Sequence, residues 1–393
     1  MNQPFSLLSR NFLLICVATF LYFGSFYLLM PILPQYVAGL GGSLSQIGVV
    51  MGTFTLAAVL VRPYLGRVAD RRGRRLLMLL GAGGFSALFW PYGLVGGLWP
   101  LYGLRIAHGL AHACFLAASS AYVADLAPAD RRGEVLGIYG TSNVAAMALF
   151  PAAGTAIMAR AGSFELLFAV ALASAGAACL AVFFLKDIRA AGQGAGQPSL
   201  LAIAGRRAVM VPSVALFAGA TVYGATVTFL PVYAPQQGIA DFAPFFTVYA
   251  GGTLLSRIAV GKLSDRIGRR KVLIPFMALL AVSTFMLVAL DSFSLLLLIG
   301  AGFGLGFGSL MPALNAMVVD GVPPRERGSA LGFFTSFMDL GITAGAMGLG
   351  LAGEVLGYPA MFGLAGFVAS AGLVLFLFFD KSAGRPAGEE LGR

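Results

Sequence analysis

Long apolar stretches separated by short polar connections dominate this chain. Each stretch is roughly 20 residues long, the length an α-helix needs to cross the hydrocarbon core of a membrane. The pattern predicts an all-α integral membrane protein with twelve transmembrane helices. The predicted spans are 12–34, 44–66, 76–98, 101–124, 135–158, 164–185, 208–234, 242–262, 272–290, 293–318, 329–352 and 358–379.

Composition supports this class and argues against an enzyme. Hydrophobic residues make up 59% of the 393 residues and charged residues only 11%, whereas about a quarter of the residues in soluble domains are charged. The nearest approach to a phosphate-binding loop, Gly261-Lys262-Leu263, lacks the upstream glycine and the Ser/Thr that such a loop requires. We therefore expect no enzymatic activity, no metal and no cofactor.

The basic residues are distributed asymmetrically. Of the 26 Lys and Arg residues, 22 lie near the N-terminus, in connections that follow even-numbered spans, or in the C-terminal tail. Positive charge in short connections stays in the cytoplasm, so both termini are expected to be cytoplasmic. This topology also explains the net charge of +10 without a nucleic-acid partner.

An internal repeat runs through the chain. The segment from Gly66 to Arg75 (GRVADRRGRR) recurs from Gly261 to Arg270 (GKLSDRIGRR), an offset of 195 residues. The same offset relates Arg62 to Arg257, Asp125 to Asp320, Pro128 to Pro323, Arg132-Gly133 to Arg327-Gly328 and Leu136-Gly137 to Leu331-Gly332. One shift that holds from the second span into the fifth predicts two parallel six-helix halves.

The repeat also predicts the domain organisation. Residues 1–186 form the N-terminal bundle and residues 208–380 the C-terminal bundle. Between them, residues 187–207 are rich in Gly and Gln and read as a flexible cytoplasmic linker, and residues 381–393 form a cytoplasmic tail.

These features resemble the major facilitator superfamily, particularly its twelve-helix drug/metabolite:proton antiporter branch. The resemblance rests on the loop pattern G-x-x-x-D-R-x-G-R-R after the second span and its repeat after the eighth. It implies a secondary active transporter that works by alternating access and is driven by a proton gradient. The short loops and the low count of acids inside the spans separately favour a monomer in a bacterial inner membrane, and the expected partners are a small-molecule substrate and membrane lipids.

The resemblance also implies a cytoplasmic gate. Asp70 would face the N-terminus of the eleventh span, and Arg74 would pair with Asp125 at the end of the fourth. The alternative is that these charges only anchor the loops in the cytoplasm, although that alternative does not explain the identical spacing in both halves. The gate residues are Gly66, Asp70, Arg71, Gly73, Arg74 and Asp125, with their repeat counterparts Gly261, Asp265, Arg266, Gly268, Arg269 and Asp320.

Charged side chains inside the spans are the next candidates, because charge is costly in hydrocarbon and marks function by default. Arg105, His108 and His112 share one face of the fourth span, and we expect that face to look into a central cavity. There they could carry protons or bind a carboxylate. The alternative is that Arg105 bonds backbone carbonyls and the histidines are satisfied packing residues.

Asp339 falls near the middle of the eleventh span and is the acid placed deepest in a predicted helix. A proton-coupling role is one hypothesis, and a structural partnership with Arg62 or Arg257 is the other. Arg62 and Arg257 occupy equivalent repeat positions, which fits a role in gating or substrate charge. Alternatively, both guanidinium groups reach toward the cytoplasmic interface.

Aromatic and amide side chains complete the candidate cavity. Tyr22, Phe23, Phe26 and Tyr27 in the first span would form an amphipathic wall, and the seventh span echoes the pattern with Tyr223, although aromatics in membrane helices commonly serve packing alone. Asn143 and Asn315 could add hydrogen bonds to a substrate.

The fifth span bears on the direction of transport. Superfamily exporters carry a G-x-x-x-G-P-x-x-G-G type motif there, and this chain keeps Pro151 and Gly154 of that motif. The partial match favours export of a small amphiphilic drug or metabolite. An importer, a lipid translocator and a substrate sensor on the same scaffold are the alternatives, and the short termini disfavour the sensor.

Overall fold

A computed structural model describes residue 7 and residues 9–128, 131–187, 200–323 and 326–379. Regular structure in these ranges is helical. The N-terminal half contains α1 (Arg10–Leu29), α2 (Leu33–Gly39), α3 (Leu44–Arg72), α4 (Arg74–Ala87), α5 (Leu98–Leu126), α6 (Arg132–Ala161) and α7 (Phe164–Phe183). The C-terminal half contains α8 (Leu200–Ala204), α9 (Arg207–Gln236), α10 (Ala243–Ile267), α11 (Arg269–Met286), α12 (Phe293–Asp320), α13 (Arg327–Thr343) and α14 (Leu349–Phe379).

The helices match the predicted membrane spans, except that the first span is divided in two and the last two spans are joined in one helical stretch. Within the described ranges, ten helical stretches are long and apolar enough to cross a membrane. One of them, Arg327–Phe379, holds the eleventh and twelfth predicted spans, which separate at Gly357 where φ is 80°. The first span breaks into α1 and α2 around Pro31, because proline lacks the N–H that a continuous helix would use. The all-α membrane fold is thereby confirmed.

The repeat is visible in the backbone. Gly73 and Gly268, which are 195 residues apart, both have φ of 92°. In this left-handed region a side chain would be strained, so each glycine permits the sharp connection into the following helix. Moreover, α4 and α11 begin at equivalent positions, as do α6 and α13.

Packing between helices repeats as well. In the first half Gly109 on α5 packs against the backbone carbonyl of Phe54, and in the second Gly304 on α12 packs against that of Tyr249. Both residues of each pair are related by the offset of 195. The two halves can therefore be compared position by position.

Besides the contacts of α9 with α2 and α3, two sets of helix contacts join the halves: in one α3 packs against α13 and α14, and in the other α10 packs against α6. We call the first the α3–α13 seam and the second the α10–α6 seam. The end of the bundle that carries Gly73 and Gly268 is called the motif end, and the opposite end, which carries Gln35, is called the Gln35 end.

Candidate functional site

An ion pair joins the halves in the interior of the bundle. Arg62 Nη2 on α3 lies 2.5 Å from Asp339 Oδ2 on α13. Asp339 is twelve residues into its helix, which places it about 18 Å along the helix axis. Its side chain is only 12% exposed and that of Arg62 19%. Of the two hypotheses for Asp339, the structure shows the contact with Arg62, and this contact bridges the halves.

Polar contacts continue from this pair along the α3–α13 seam toward the Gln35 end. The hydroxyl groups of Thr55 and Thr343 lie 2.8 Å apart, and the Thr343 hydroxyl also donates to the Asp339 carbonyl at 2.9 Å. Farther along, the Ser45 backbone N–H donates to Glu354 at 3.1 Å. The charged pair therefore terminates a row of direct contacts between the halves.

The two halves also approach closely at the Gln35 end. Gln35 Nε2 on α2 donates to the Pro231 carbonyl on α9 at 2.9 Å. Gly48 on α3 packs directly against the backbone of Ala346, so closely that a methyl group would overlap the Ala346 carbonyl oxygen. Small residues allow this approach of two backbones, and the result is a tightly packed junction.

A π-helical turn at Ala344–Gly348 follows α13 directly. Such turns are uncommon and occur frequently at functional sites. This one lies on the α3–α13 seam, one turn beyond Asp339 and opposite Gly48. The helix that carries the acid is therefore irregular where it meets the other half.

His112 lies near the ion pair in a cluster of aromatic rings. Its Nδ1 lies 3.3 Å from the Tyr22 hydroxyl, and its ring centroid is 5.0 Å from that of Phe54. Arg62 and Arg105 are both within electrostatic range of the imidazole. The structure therefore brings together His112, Arg105, Arg62 and, through Arg62, Asp339.

His108 does not share this environment, which corrects the expectation of a single cavity-facing stripe. The side chain is fully buried, Nε2 donates to the Phe85 carbonyl at 2.8 Å, and the Tyr92 hydroxyl lies 3.0 Å from Nδ1. A donating Nε2–H leaves Nδ1 to accept from the tyrosine, so both nitrogens of a neutral ring are satisfied. His108 is a packing residue between α5 and α4.

Arg105 is likewise held in the wall of the bundle. It is 5% exposed, its Nε donates to the Val50 carbonyl at 3.1 Å, and its guanidinium carbon lies 4.4 Å above the centroid of the Phe54 ring. The carbonyl and ring contacts fit the structural alternative for Arg105. Phe54 also contacts His112, with ring centroids 5.0 Å apart, so Arg105 and His112 share a neighbour.

Tyr22, Phe23 and Tyr27 of the predicted aromatic wall are all buried but differ in their contacts. Tyr22 is fully buried and stacks on Phe115 with ring centroids 3.9 Å apart, so it supports the site from behind. The Tyr27 hydroxyl instead donates to Asn143 Oδ1 at 3.3 Å. Phe23 packs edge-on to His112 with centroids 5.8 Å apart.

A second group of side chains surrounds Arg257. Arg257 is exposed on α10, yet its charge is within electrostatic range of the buried hydroxyls of Tyr27 on α1 and Tyr249 on α10. Tyr223 on α9 lies beside Tyr249, with centroids 5.9 Å apart, and stacks on Phe307 at 4.6 Å. Tyr27 belongs to the N-terminal half and Tyr249 and Tyr223 belong to the C-terminal half, so Arg257 lies near residues of both halves. Asn315 is half-buried on α12.

At the motif end, the two predicted arginine–aspartate pairs are present. Arg74 Nε lies 2.5 Å from Asp125 Oδ2, and Arg269 Nη2 lies 3.0 Å from Asp320 Oδ2. Each pair ties the start of one helix to the end of another within the same half. The side chains at the remaining gate positions, Gly66, Asp70, Arg71, Gly261, Asp265 and Arg266, lie outside the described part of the structure.

Several residues in this region were not identified from the sequence. Thr55, Thr343 and Tyr249 are uncharged, and their type alone does not distinguish a cavity from ordinary packing. A signal was present for Tyr249, because it is the repeat counterpart of Phe54, which covers Arg105. The threonines lacked such a signal, since their contact depends on how the halves dock.

Comparison with known proteins agrees with the fold. The family model described as Major Facilitator Superfamily matches residues 15–246 and 240–393. The chain is 25% identical to "Multidrug resistance protein MdtG" of Dickeya zeae over 368 residues, covering 90% of each protein. It is 27% identical to the protein of that name from Salmonella paratyphi A over 400 residues, covering 93% of each.

Solved structures show the same architecture. A point mutant of the nucleoside transporter NupG superimposes with a TM-score of 0.77 at 16% identity, covering 95% of this chain and 100% of that one. The bacterial homolog of the human lysosomal transporter Spinster, in an inward-facing and unoccupied conformation, gives 0.72 at 15% identity, with 96% of each chain covered. Two family matches spanning the chain and a shared fold give one assignment. This protein is a multi-pass membrane transporter of the major facilitator superfamily, which moves a small molecule at the expense of an ion gradient.

Proposed function

We propose that this transporter is a proton-coupled exporter of a small amphiphilic molecule. The observation that carries the proposal is the Arg62–Asp339 ion pair, which links the two halves inside the bundle. A proton on Asp339 removes its negative charge and hence its attraction to Arg62. Protonation is thereby tied to the contact between the halves, which alternating access must rearrange.

Release of this pair would act on the rest of the seam. The Thr343 hydroxyl bonds the carbonyl of Asp339 and meets Thr55 across the seam. A change in the position of Asp339 is therefore transmitted to the neighbouring inter-half contact. The adjacent π-helical turn at Ala344–Gly348 supplies a place where α13 can change its winding.

The charge distribution sets the proposed orientation. Because the motif end carries the clustered arginines, it faces the cytoplasm of a bacterial inner membrane, as do both termini. The tight junction at the Gln35 end then faces outward. In this state the outer side is closed, and substrate would approach Arg257 from the cytoplasm. The name of the MdtG relatives, multidrug resistance protein, supports export.

The proposal is tested in proteoliposomes that contain a pH-sensitive dye. We expect compounds of a panel of anions, neutral molecules and cations to drive proton movement opposite to their own in the wild type and to lose this effect in Asp339→Asn. Asp291→Asn removes an exposed carboxylate between α11 and α12 and serves as the matched control, with normal coupling expected. Proton movement that persists in Asp339→Asn would refute the coupling role, and compound movement without protons would refute antiport.

A further inference from the structure

The two halves differ at one pair of equivalent positions inside the bundle. Arg62 and Arg257 are related by the offset of 195, and so are Val144 and Asp339. Arg62 on the α3–α13 seam therefore meets an acid, whereas the corresponding position on the α10–α6 seam is a valine that is 4% exposed. The second arginine is therefore present, but the position equivalent to Asp339 carries no carboxylate.

The equivalence of these positions is supported by independent contacts. Helices α6 and α13, which carry Val144 and Asp339, begin at equivalent residues. For the helices that carry the arginines, Arg105 meets the Val50 carbonyl, and its counterpart Gly300 lies against the Phe245 carbonyl, the counterpart of Val50. The offset of 195 therefore applies both to the helices that carry Val144 and Asp339 and to the helices that carry the two arginines.

Arg257 is left with an unmatched charge. Among the residues that the structure describes, no carboxylate forms an ion pair with it, while Asp339 is engaged by Arg62. The hydroxyl groups of Tyr27 and Tyr249 lie near its charge, and Tyr27 in turn bonds Asn143 next to Val144. A guanidinium beside neutral hydrogen-bonding groups is suited to an anion, because arginine presents a fork of donors that matches a carboxylate.

Aromatic rings extend from Tyr249 within the C-terminal half. Tyr223 lies beside Tyr249 and stacks on Phe307. These rings would contact the apolar body of a molecule whose charged group reaches Arg257. Ligand sites commonly combine apolar walls with a few placed polar groups.

We propose that Arg257, assisted by the Tyr27 and Tyr249 hydroxyls, binds the anionic group of the substrate, and that the transported molecule is an amphiphilic organic anion. This inference rests on the proposed function and specifies its substrate class. It assigns different tasks to the two repeat-related arginines. Arg62 pairs with the proton-accepting acid, and Arg257 pairs with the substrate.

Binding to the purified transporter in detergent tests this proposal without any gradient. The probes are 2-naphthoate, indole-3-acetate and octanoate, each compared with its carboxamide, and binding is read from the shift in thermal unfolding as each probe is titrated. We expect carboxylates to bind the wild type more tightly than their amides. Arg257→Gln should weaken carboxylate binding about tenfold and leave amide binding unchanged, because only the charge interaction is lost; Arg257→Lys should keep part of the preference.

Substitution of Val144 provides a second, independent test. Val144→Asp supplies a carboxylate at the position equivalent to Asp339 and should abolish the preference for binding carboxylates over amides. Val144→Asn introduces a side chain of the same size as Asp but without charge, and should retain that preference. The proposal is overturned if no carboxylate outranks its amide in the wild type, or if the preference survives Arg257→Gln.

The outcome is separable from that of the coupling test. Carboxylate binding that depends on Arg257, together with an absence of proton movement, would refute proton coupling and leave the anion site intact. Proton-coupled movement of cationic compounds that is unchanged in Arg257→Gln would refute the anion site and leave coupling intact.

Discussion

The α3–α13 and α10–α6 seams are built from the same repeat, yet they differ in charge and in packing. On the first, Arg62 meets Asp339; on the second, Arg257 has Val144 in place of the acid. The two halves thus have equivalent helices but different side chains at a few equivalent positions. Arg62, which is paired with Asp339, and Arg257, which has no carboxylate partner among the described residues, are suited to different tasks.

Packing follows the same division. Gly48 and Gly52 on α3 allow close contact with Ala346 and Met347 of the π-helical turn, but their repeat counterparts on α10 are Ala243 and Thr247. Backbones can approach most closely where side chains are smallest. The glycines that bring two backbones together on the α3–α13 seam are therefore absent at the equivalent positions of α10.

Neutralising the two arginines one at a time should show the largest difference in stability between the two seams. Arg62→Gln leaves Asp339 in the interior without its cation, and we expect the free energy of unfolding to fall by about 2–3 kcal/mol, at the low end for a broken buried pair because the pair is partly exposed. Arg257→Gln removes an exposed charge without a described carboxylate partner and should change it by less than about 0.5 kcal/mol. Equilibrium unfolding in mixed detergent micelles measures both values.

A double substitution identifies the cause of this difference. Arg62→Gln combined with Asp339→Asn removes both charges and should recover at least half of the lost stability, because no uncompensated charge remains. If Arg62→Gln and Arg257→Gln were equally destabilising, or if the double variant recovered nothing, the ion pair would not be the source of the asymmetry.

The close packing of Gly48 gives the next largest expected effect. A methyl group there would overlap the Ala346 carbonyl oxygen, and backbone atoms cannot rotate away as a side chain can. Gly48→Ala should therefore destabilise the protein by about 1–2 kcal/mol and slow transport, since the Gln35 end can no longer close fully. Gly251→Ala is the control, because a methyl group at that helical position meets open space. Equal transport rates in the two variants would show that closure at Gly48 is not required.

The sequence predicted those parts of the molecule that depend on local patterns or on the repeat. Apolar length placed the membrane helices, the family resemblance anticipated the contact of Arg74 with Asp125, and the offset of 195 extended it to Arg269 and Asp320. His108 was predicted less well, because residues three and four positions apart on a helix share only an approximate direction. Whether that direction meets a cavity or α4 depends on packing that the spacing does not contain.

The same limit applies to contacts between the halves. Arg62 and Asp339 were each marked by charge in an apolar span, and their pairing was one of two alternatives. The meeting of Thr55 with Thr343 depends on the docking of two bundles that are far apart in sequence. Charge is conspicuous in an apolar sequence, whereas a hydroxyl group is not.

The arginine–aspartate pairs at the motif end provide the finest comparison of the halves. In the first pair the Arg74 side chain is 5% exposed and Asp125 17%, whereas in the second Asp320 is 62% exposed. Water screens the second pair, so Arg269→Gln should lower the free energy of unfolding by less than about 1 kcal/mol. Arg74→Gln should cost about 1–2 kcal/mol, because a largely desolvated carboxylate loses its partner.

Unfolding of the two variants side by side measures this difference, and raising the salt concentration should reduce the effect of Arg269→Gln more than that of Arg74→Gln. Equal costs with equal salt dependence would mean that the repeat is energetically symmetric at this end, and that the asymmetry of the molecule is confined to the two seams.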